Sequence, residues 1–235
     1  FLFSKAYSVA DTVLCHTEYE KELLSKHYNI RQSIIKIIPS GVDIEGIKNA
    51  KPYNIEGNLL CIVSRLEKYK NIHIAIEVLK YLPENYRLII IGDGAYRKNL
   101  ENYVNEHKLN RKVSFLGCLS NEDVYRWYKT CNVVLNFSSL EAFGLTVIES
   151  LASGKPVIVN NNTALAELAK RFKYVYSIDI NALNYTDLAN LITKATATKT
   201  SKLEVSLNKY TWELITQDLV DLYKNVINGA SNESS

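Results

Sequence analysis

The chain has 235 residues, 47% hydrophobic and 23% charged, with nine Gly and four Pro. That make-up excludes disorder, collagen-like repeats and low-complexity architecture, and supplies core material for one large domain or one domain plus part of another. A net charge of +3, concentrated only in the short group Arg65, Lys68 and Lys70, offers no basic face and argues against nucleic acid as a partner.

Taken in order, Val13 to His16 predicts a strand, Glu18 to His27 a helix, and Ile34 to Ile38 a second strand closed by the turn Pro39-Ser40-Gly41. From Leu59 onward, short β-branched runs alternate with amphipathic stretches. Strands are predicted at Leu59 to Ser64, Arg87 to Ile91, Val113 to Leu116, Val133 to Phe137, Pro156 to Val159 and Tyr174 to Ser177. Helices are predicted near 71–82, 96–107, 121–129, 144–153, 163–170 and 184–196. Runs such as Leu88-Ile89-Ile90-Ile91 are apolar without alternation, as in strands covered on both faces. The expected fold class is therefore α/β, a doubly wound, Rossmann-like parallel sheet. Trp212, Ile215, Leu219, Leu222, Tyr223 and Val226 form one apolar stripe on a helix of roughly 16 residues, ahead of a polar tail, Gly229 to Ser235, that reads as frayed.

Cys15, Cys61, Cys118 and Cys131 lack CxxC spacing and read as buried free thiols in a reducing compartment. No apolar run approaches the roughly 18 residues of a membrane span, and Phe1-Leu2-Phe3 is too short for a signal-peptide core, so a cytosolic location is expected. The chain opens on Phe1 and contains no Met, which predicts further chain on its N-terminal side. His16, His27, His73 and His107 show no metal-ligand spacing.

Ligands of open parallel sheets bind beyond the carboxyl ends of the strands, so the residues following each apolar run are the informative ones. Arg65 and Lys70 follow the first run of the series, a guanidinium fork and an ammonium suited to a diphosphate, although the same residues also suit a solvated turn. Gly92-Asp93-Gly94 allows either close approach to a ligand or a tight turn. A dinucleotide fingerprint would require glycine where Arg97 stands, which argues against an oxidoreductase. Between Ser138 and Pro156 a strand ends, a loop carries Glu141, and a helix opens near Gly144. The amides of Phe143, Gly144, Leu145 and Thr146 would then face the crevice at the positive end of the helix dipole. Glu149 lies about five residues inside that helix, a rise of roughly 7 to 8 Å, so Glu141 and Glu149 could bracket a diphosphate. Two glutamates at that spacing are common by chance, but a carboxylate on an otherwise apolar helix is costly without partners.

In order and spacing these segments resemble retaining nucleotide-sugar glycosyltransferases of the GT-B fold, family 4. The resemblance rests on Pro39-Ser40-Gly41-Val42-Asp43, Val63-Ser64-Arg65-Leu66 with Lys70, Ile91-Gly92-Asp93-Gly94, Phe115-Leu116-Gly117, and Glu141 and Glu149 followed by Gly154-Lys155-Pro156-Val157. It extends from about residue 8 to 170. It implies that Arg65 and Lys70 bind the donor diphosphate and that Glu149 holds the ribose hydroxyls. Glu141, with the amides of Phe143, Gly144 and Leu145, would hold the sugar and distal phosphate. The backbone around Leu116, Gly117 and Cys118 would contact the base, beside Gly92. No metal or other cofactor is implied, because the cationic clamp stabilises the leaving diphosphate. The expected partners are a UDP- or GDP-linked sugar and a glycan, lipid or protein acceptor, with a peripheral membrane location if the acceptor is lipid-linked.

Four positions depart from the family pattern: Phe137 for a usual Pro, Ala142 for a usual Gly, and Thr163-Ala164 for two glycines. The implied organisation is a remnant of an N-terminal acceptor domain at 1–40, a donor-binding domain at 41–208, and a crossover helix with tail at 209–235. Without the acceptor half, the expected turnover by this chain alone is weak. The alternative reading is a non-catalytic module that completes a separate acceptor-binding subunit.

Overall fold

A computed structural model describes residues 6, 7, 9–198 and 206–232. The main elements are β1 (Val13–Cys15), α1 (Glu18–Tyr28), β2 (Ile35–Ile37), α2 (Ile44–Asn49), β3 (Asn58–Val63), α3 (Ile72–Val78), β4 (Tyr86–Ile91), α4 (Arg97–Glu106), β5 (Val113–Gly117), α5 (Asn121–Thr130), β6 (Val133–Asn136), α6 (Leu145–Ala152), β7 (Val157–Asn160), α7 (Thr163–Arg171), β8 (Val175–Ile178), α8 (Tyr185–Thr196) and α9 (Trp212–Asn232). They form two compact units, Ile44–Val205 and the two chain ends, Phe1–Asp43 with Ser206–Ser235.

The larger unit is built on a six-stranded, all-parallel sheet in the order β5-β4-β3-β6-β7-β8. Consecutive strands step outward from β3 to β5, then the chain returns to β6 on the other side of β3 and steps outward again. The order therefore reverses between β3 and β6, the point in an open parallel sheet at whose carboxyl edge ligands bind. Covering both faces explains the uniformly apolar strands. Leu60, Ile62, Leu88, Ile90, Val133 and Leu135 pack with Ile76, Leu100, Leu188 and Ile192 in one core, whereas Cys61 and Val134, of opposite parity in their strands, are buried on the side where α5 meets β3 and α6 meets β6. Polar caps set the helix starts: Ser120 Oγ accepts from the Asp123 amide at 3.2 Å, and Asn184 Oδ1 accepts from the amides of Thr186 and Asp187.

In the smaller unit β1 and β2 pair in parallel, and α1 is capped by Thr17, whose hydroxyl accepts from the Glu20 amide at 3.2 Å. The Val42 amide donates to Tyr210 O at 2.8 Å, which ties the two chain ends together just before α9.

The doubly wound sheet expected from the sequence is present, and every predicted strand is found within one or two residues. Four details differ. Helix α2 is absent from the expectation, being six residues with only Ile44 and Ile47 buried. Helix α3 stops at Val78, because the Leu79 amide bonds to Ile76 O and tightens the turn ahead of Pro83. Helix α9 continues to Asn232, so residues 229–232 are helical where a frayed tail was expected; 233–235 lie outside the described residues. Cys15, Cys61 and Cys131 are buried free thiols, but Cys118 is exposed, because it follows β5 at the carboxyl edge of the sheet. No helix among the described residues is long and apolar enough to cross a membrane.

Candidate functional site

The site is assembled where the sheet order reverses. The chain leaving β3 is bound to its neighbour by backbone alone: the Ser64 amide donates to Ile91 O at 3.0 Å, Leu66 to Asp93 O at 2.9 Å, and Tyr96 to Leu66 O at 2.8 Å. Gly92 makes this approach possible. Its amide donates to Gly117 O at 2.7 Å, so the loops after β3, β4 and β5 are joined in series. The resulting cleft of about 240 Å³ is lined by Ser64, Arg65, Gly92, Asp93, Cys118, Leu119 and Val124, among others. Arg65 donates from Nη2 to the Tyr69 hydroxyl at 3.0 Å.

Lys70 ends a short 3-10 turn, Lys68–Lys70, and Asn71 follows at φ 52°, a left-handed conformation that asparagine tolerates better than most residues. The Asn71 amide group, Nδ2, donates to Phe137 O at 3.0 Å and Ser139 Oγ at 2.7 Å, and the Ser139 amide donates to Tyr69 O at 2.8 Å. These bonds fasten the loop after β3 to the loop after β6. Across that junction Lys70 Nζ meets Glu141 Oε2 at 2.8 Å, with the two side chains only 14% and 21% exposed.

The loop carrying Glu141 is braced from several sides. Ser138 Oγ donates to Leu140 O, Asn160 Nδ2 to Ser138 O and Asn162 Nδ2 to Ser139 O. Helix α6 starts at Gly144, whose φ of 91° and tight approach to Leu165 and Leu168 leave little space for a side chain. The amides of Gly144, Leu145 and Thr146 open this helix, where N–H groups lack an i−4 carbonyl and carry partial positive charge. Phe143 is buried beneath them, and Asn136 Nδ2 donates to Thr146 Oγ1 at 2.9 Å.

Glu149, one turn further along α6, accepts a hydrogen bond from the buried Tyr128 hydroxyl at 2.8 Å. Burial pushes the Glu149 carboxyl above its ordinary range, with the Tyr128 bond opposing it, and burial beside Glu149 pushes the Tyr128 phenol up. Glu149 thus has the partner that a carboxylate on an apolar helix needs.

Arg65, Gly92 and Cys118 share the cleft, Lys70 and Glu141 pair at the mouth of α6, and Glu149 lies one turn inside it. Gly117 reaches the group through its carbonyl. Arg97, the residue that breaks the dinucleotide fingerprint, bonds Asp93 at 2.9 Å and Glu101 at 2.7 Å. Tyr128, Asn71 and Tyr69 are the structural participants that the sequence did not single out. Asn71, beside Lys70 and able to take a left-handed φ, carried a usable signal. Tyr128 carried none, since an aromatic residue on an amphipathic helix reads as core.

A family model described as Glycosyl transferases group 1 matches residues 43–212. An alpha-monoglucosyldiacylglycerol synthase of Streptococcus pneumoniae is 29% identical over 177 residues, 67% of this chain and 39% of that protein. A D-inositol 3-phosphate glycosyltransferase of Corynebacterium urealyticum is 24% identical over 242 residues, 92% of this chain and 57% of the other. The chain thus spans about half the length of the curated relatives it matches. The Anabaena HepE structure in complex with UDP and glucose aligns with a TM-score of 0.81 at 22% identity, over 93% of this chain and 64% of that one. The sucrose-phosphate synthase structure from Thermosynechococcus elongatus aligns at 0.83 and 23%, over 97% and 61%. These likenesses show the fold, a six-stranded sheet matching GT-B C-terminal domains. The match over residues 43–212 carries the assignment, and the chain belongs to the group 1 glycosyl transferases.

Proposed function

We propose that this chain binds the donor for a retaining glycosyltransferase, taking a nucleoside diphosphate sugar at the carboxyl ends of β3 and β6, beside the cleft that Arg65 lines. The observation that carries the reading is the pairing of Lys70 with Glu141 at the start of α6, where the sheet order reverses. In this reading Arg65, Lys70 and the amides of Phe143, Gly144, Leu145 and Thr146 hold the two phosphates. Glu141 orients the sugar, Glu149 accepts the ribose hydroxyls, and the backbone from Leu116 to Cys118 borders the base. The UDP and glucose in the Anabaena HepE complex support a donor of this class.

The acceptor oxygen would form its bond to the anomeric carbon on the face from which the diphosphate departs, its proton passing to the leaving phosphate oxygen. That geometry retains the anomeric configuration. Fixed positive groups that meet the developing charge lower the barrier without a resident metal. The acceptor, a glycan, lipid or protein, would engage parts of the enzyme outside this site. The four free thiols support a reducing, cytosolic setting for the reaction.

Calorimetry with UDP, GDP and their sugar conjugates tests the reading. One of the two diphosphates is expected to bind, and no heat from any of them at millimolar concentration would refute it. Arg65→Ala is expected to weaken the bound diphosphate by about 1 to 3 kcal/mol, the range for charge-assisted bonds. An unchanged affinity would remove Arg65 from the site.

A further inference from the structure

The hydroxyl of Tyr128 is the one group that donates to the Glu149 carboxylate among the described residues. The ring of Tyr128 is fully buried, on α5, and its oxygen reaches across to α6. A buried phenol needs a hydrogen-bond partner, but a backbone carbonyl would serve the fold equally well. Here the partner is a partly exposed carboxylate, the one that the donor reading assigns to the ribose. The other titratable groups beside Tyr128 are the thiols of Cys61 and Cys131, and neither supplies a positive charge. Holding Glu149 ionised therefore falls to Tyr128, against the burial that favours the protonated form.

A carboxylate recognises two adjacent hydroxyls only if it is ionised and its plane is fixed, since both oxygens must accept. A donor anchored on Oε2 meets both requirements and leaves Oε1 and the remaining lone pair of Oε2 for a ligand. We propose that Tyr128 is a positioning residue for ribose recognition, its hydroxyl fixing the Glu149 carboxylate so that it accepts the vicinal diol of the donor. This inference rests on the donor reading above and gives the nucleoside end of the site its selectivity for a ribose with both hydroxyls.

The test is calorimetry on the full chain with whichever of UDP and GDP the wild type binds, together with the 2′,3′-dideoxy form of the same diphosphate. Tyr128→Phe is expected to weaken the ribose compound about tenfold and to leave the dideoxy compound unchanged. Binding that needs an ionised Glu149 is present above the carboxyl's pKa and lost as pH falls through it. Removing the donor raises that pKa, so in the variant the loss begins at a higher pH. Carbon-13 NMR of the Glu149 carboxyl should follow the same upward shift without any ligand.

Should Tyr128→Phe fold poorly, 3-fluorotyrosine at position 128, a more acidic phenol of nearly the same volume, should lower the Glu149 midpoint. Equal weakening of both diphosphates, or an unmoved Glu149 titration in either variant, would overturn the role of Tyr128 while leaving the donor reading in place. A wild-type chain that binds neither UDP nor GDP would overturn the donor reading and the inference with it.

Discussion

Gly92→Ala is expected to lower the stability of the chain by about 3 to 5 kcal/mol, one of the largest effects open to a single methyl group here. Gly92 sits at φ 120°, where L side chains are strained, and a Cβ built on it falls 2.0 Å from Ser64 O. The obstacle is backbone, which cannot rotate away as a side chain could. Relief requires the loop after β4 to separate from the loop after β3, and the bonds from Ser64 to Ile91 and from Leu66 to Asp93 lie on that seam. Thermal unfolding should show a midpoint lower by about 10 °C or more. The same separation displaces Arg65, so any variant that still folds should also bind diphosphate poorly. A melting temperature within 2 °C of wild type, an order-of-magnitude threshold, would show that the loops are not held as described.

Lys70→Ala is expected to cost the most in donor binding, about a hundredfold in diphosphate affinity. Two effects add. The ammonium that would meet a phosphate is lost, and the Glu141 carboxylate, now without its 2.8 Å partner, faces the anion uncompensated in a poorly hydrated site. In the double variant Lys70→Ala with Glu141→Ala the repulsion disappears, and about tenfold of the affinity should return. Calorimetry on the wild type, both single variants and the double variant reads the coupling directly. Strictly additive losses would mean that the pair does not act as one unit on the ligand.

The parts of this account that were legible in the sequence are those in which local pattern determines structure. Strands such as Leu88 to Ile91 are recognisable because burial on both faces removes alternation, and α6 is framed by Gly144 and Gly154. The segments after β3 and β6 could be singled out because topology brings the carboxyl ends of such strands to one edge. Glu149 stood out as a carboxylate on an apolar helix. Its partner did not, because the Tyr128 contact joins residues 21 apart on separate helices, and no local signal distinguishes a buried tyrosine that fills space from one that donates a hydrogen bond.

Asn71 illustrates a different obstacle. Its left-handed φ is a local matter, but its amide group reaches Phe137 and Ser139, more than sixty residues away, once β3 and β6 are neighbours. The pairing of Lys70 with Glu141 has the same origin, with the two residues 71 apart in the chain. Helix α2 was missed because six residues provide little more than one turn of periodicity. For Gly92 the sequence left ligand approach and turn formation open, and the structure adds contact with the backbone of a neighbouring loop.

The most direct test is a crystal structure of this chain soaked with UDP and, separately, GDP. One of the two diphosphates is expected at the carboxyl ends of β3 and β6, its distal phosphate within hydrogen-bond reach of Lys70 Nζ and the first amides of α6, and its ribose hydroxyls on Glu149. A well-ordered nucleotide bound elsewhere, with Lys70 still closed on Glu141 and the start of α6 untouched, would contradict this placement.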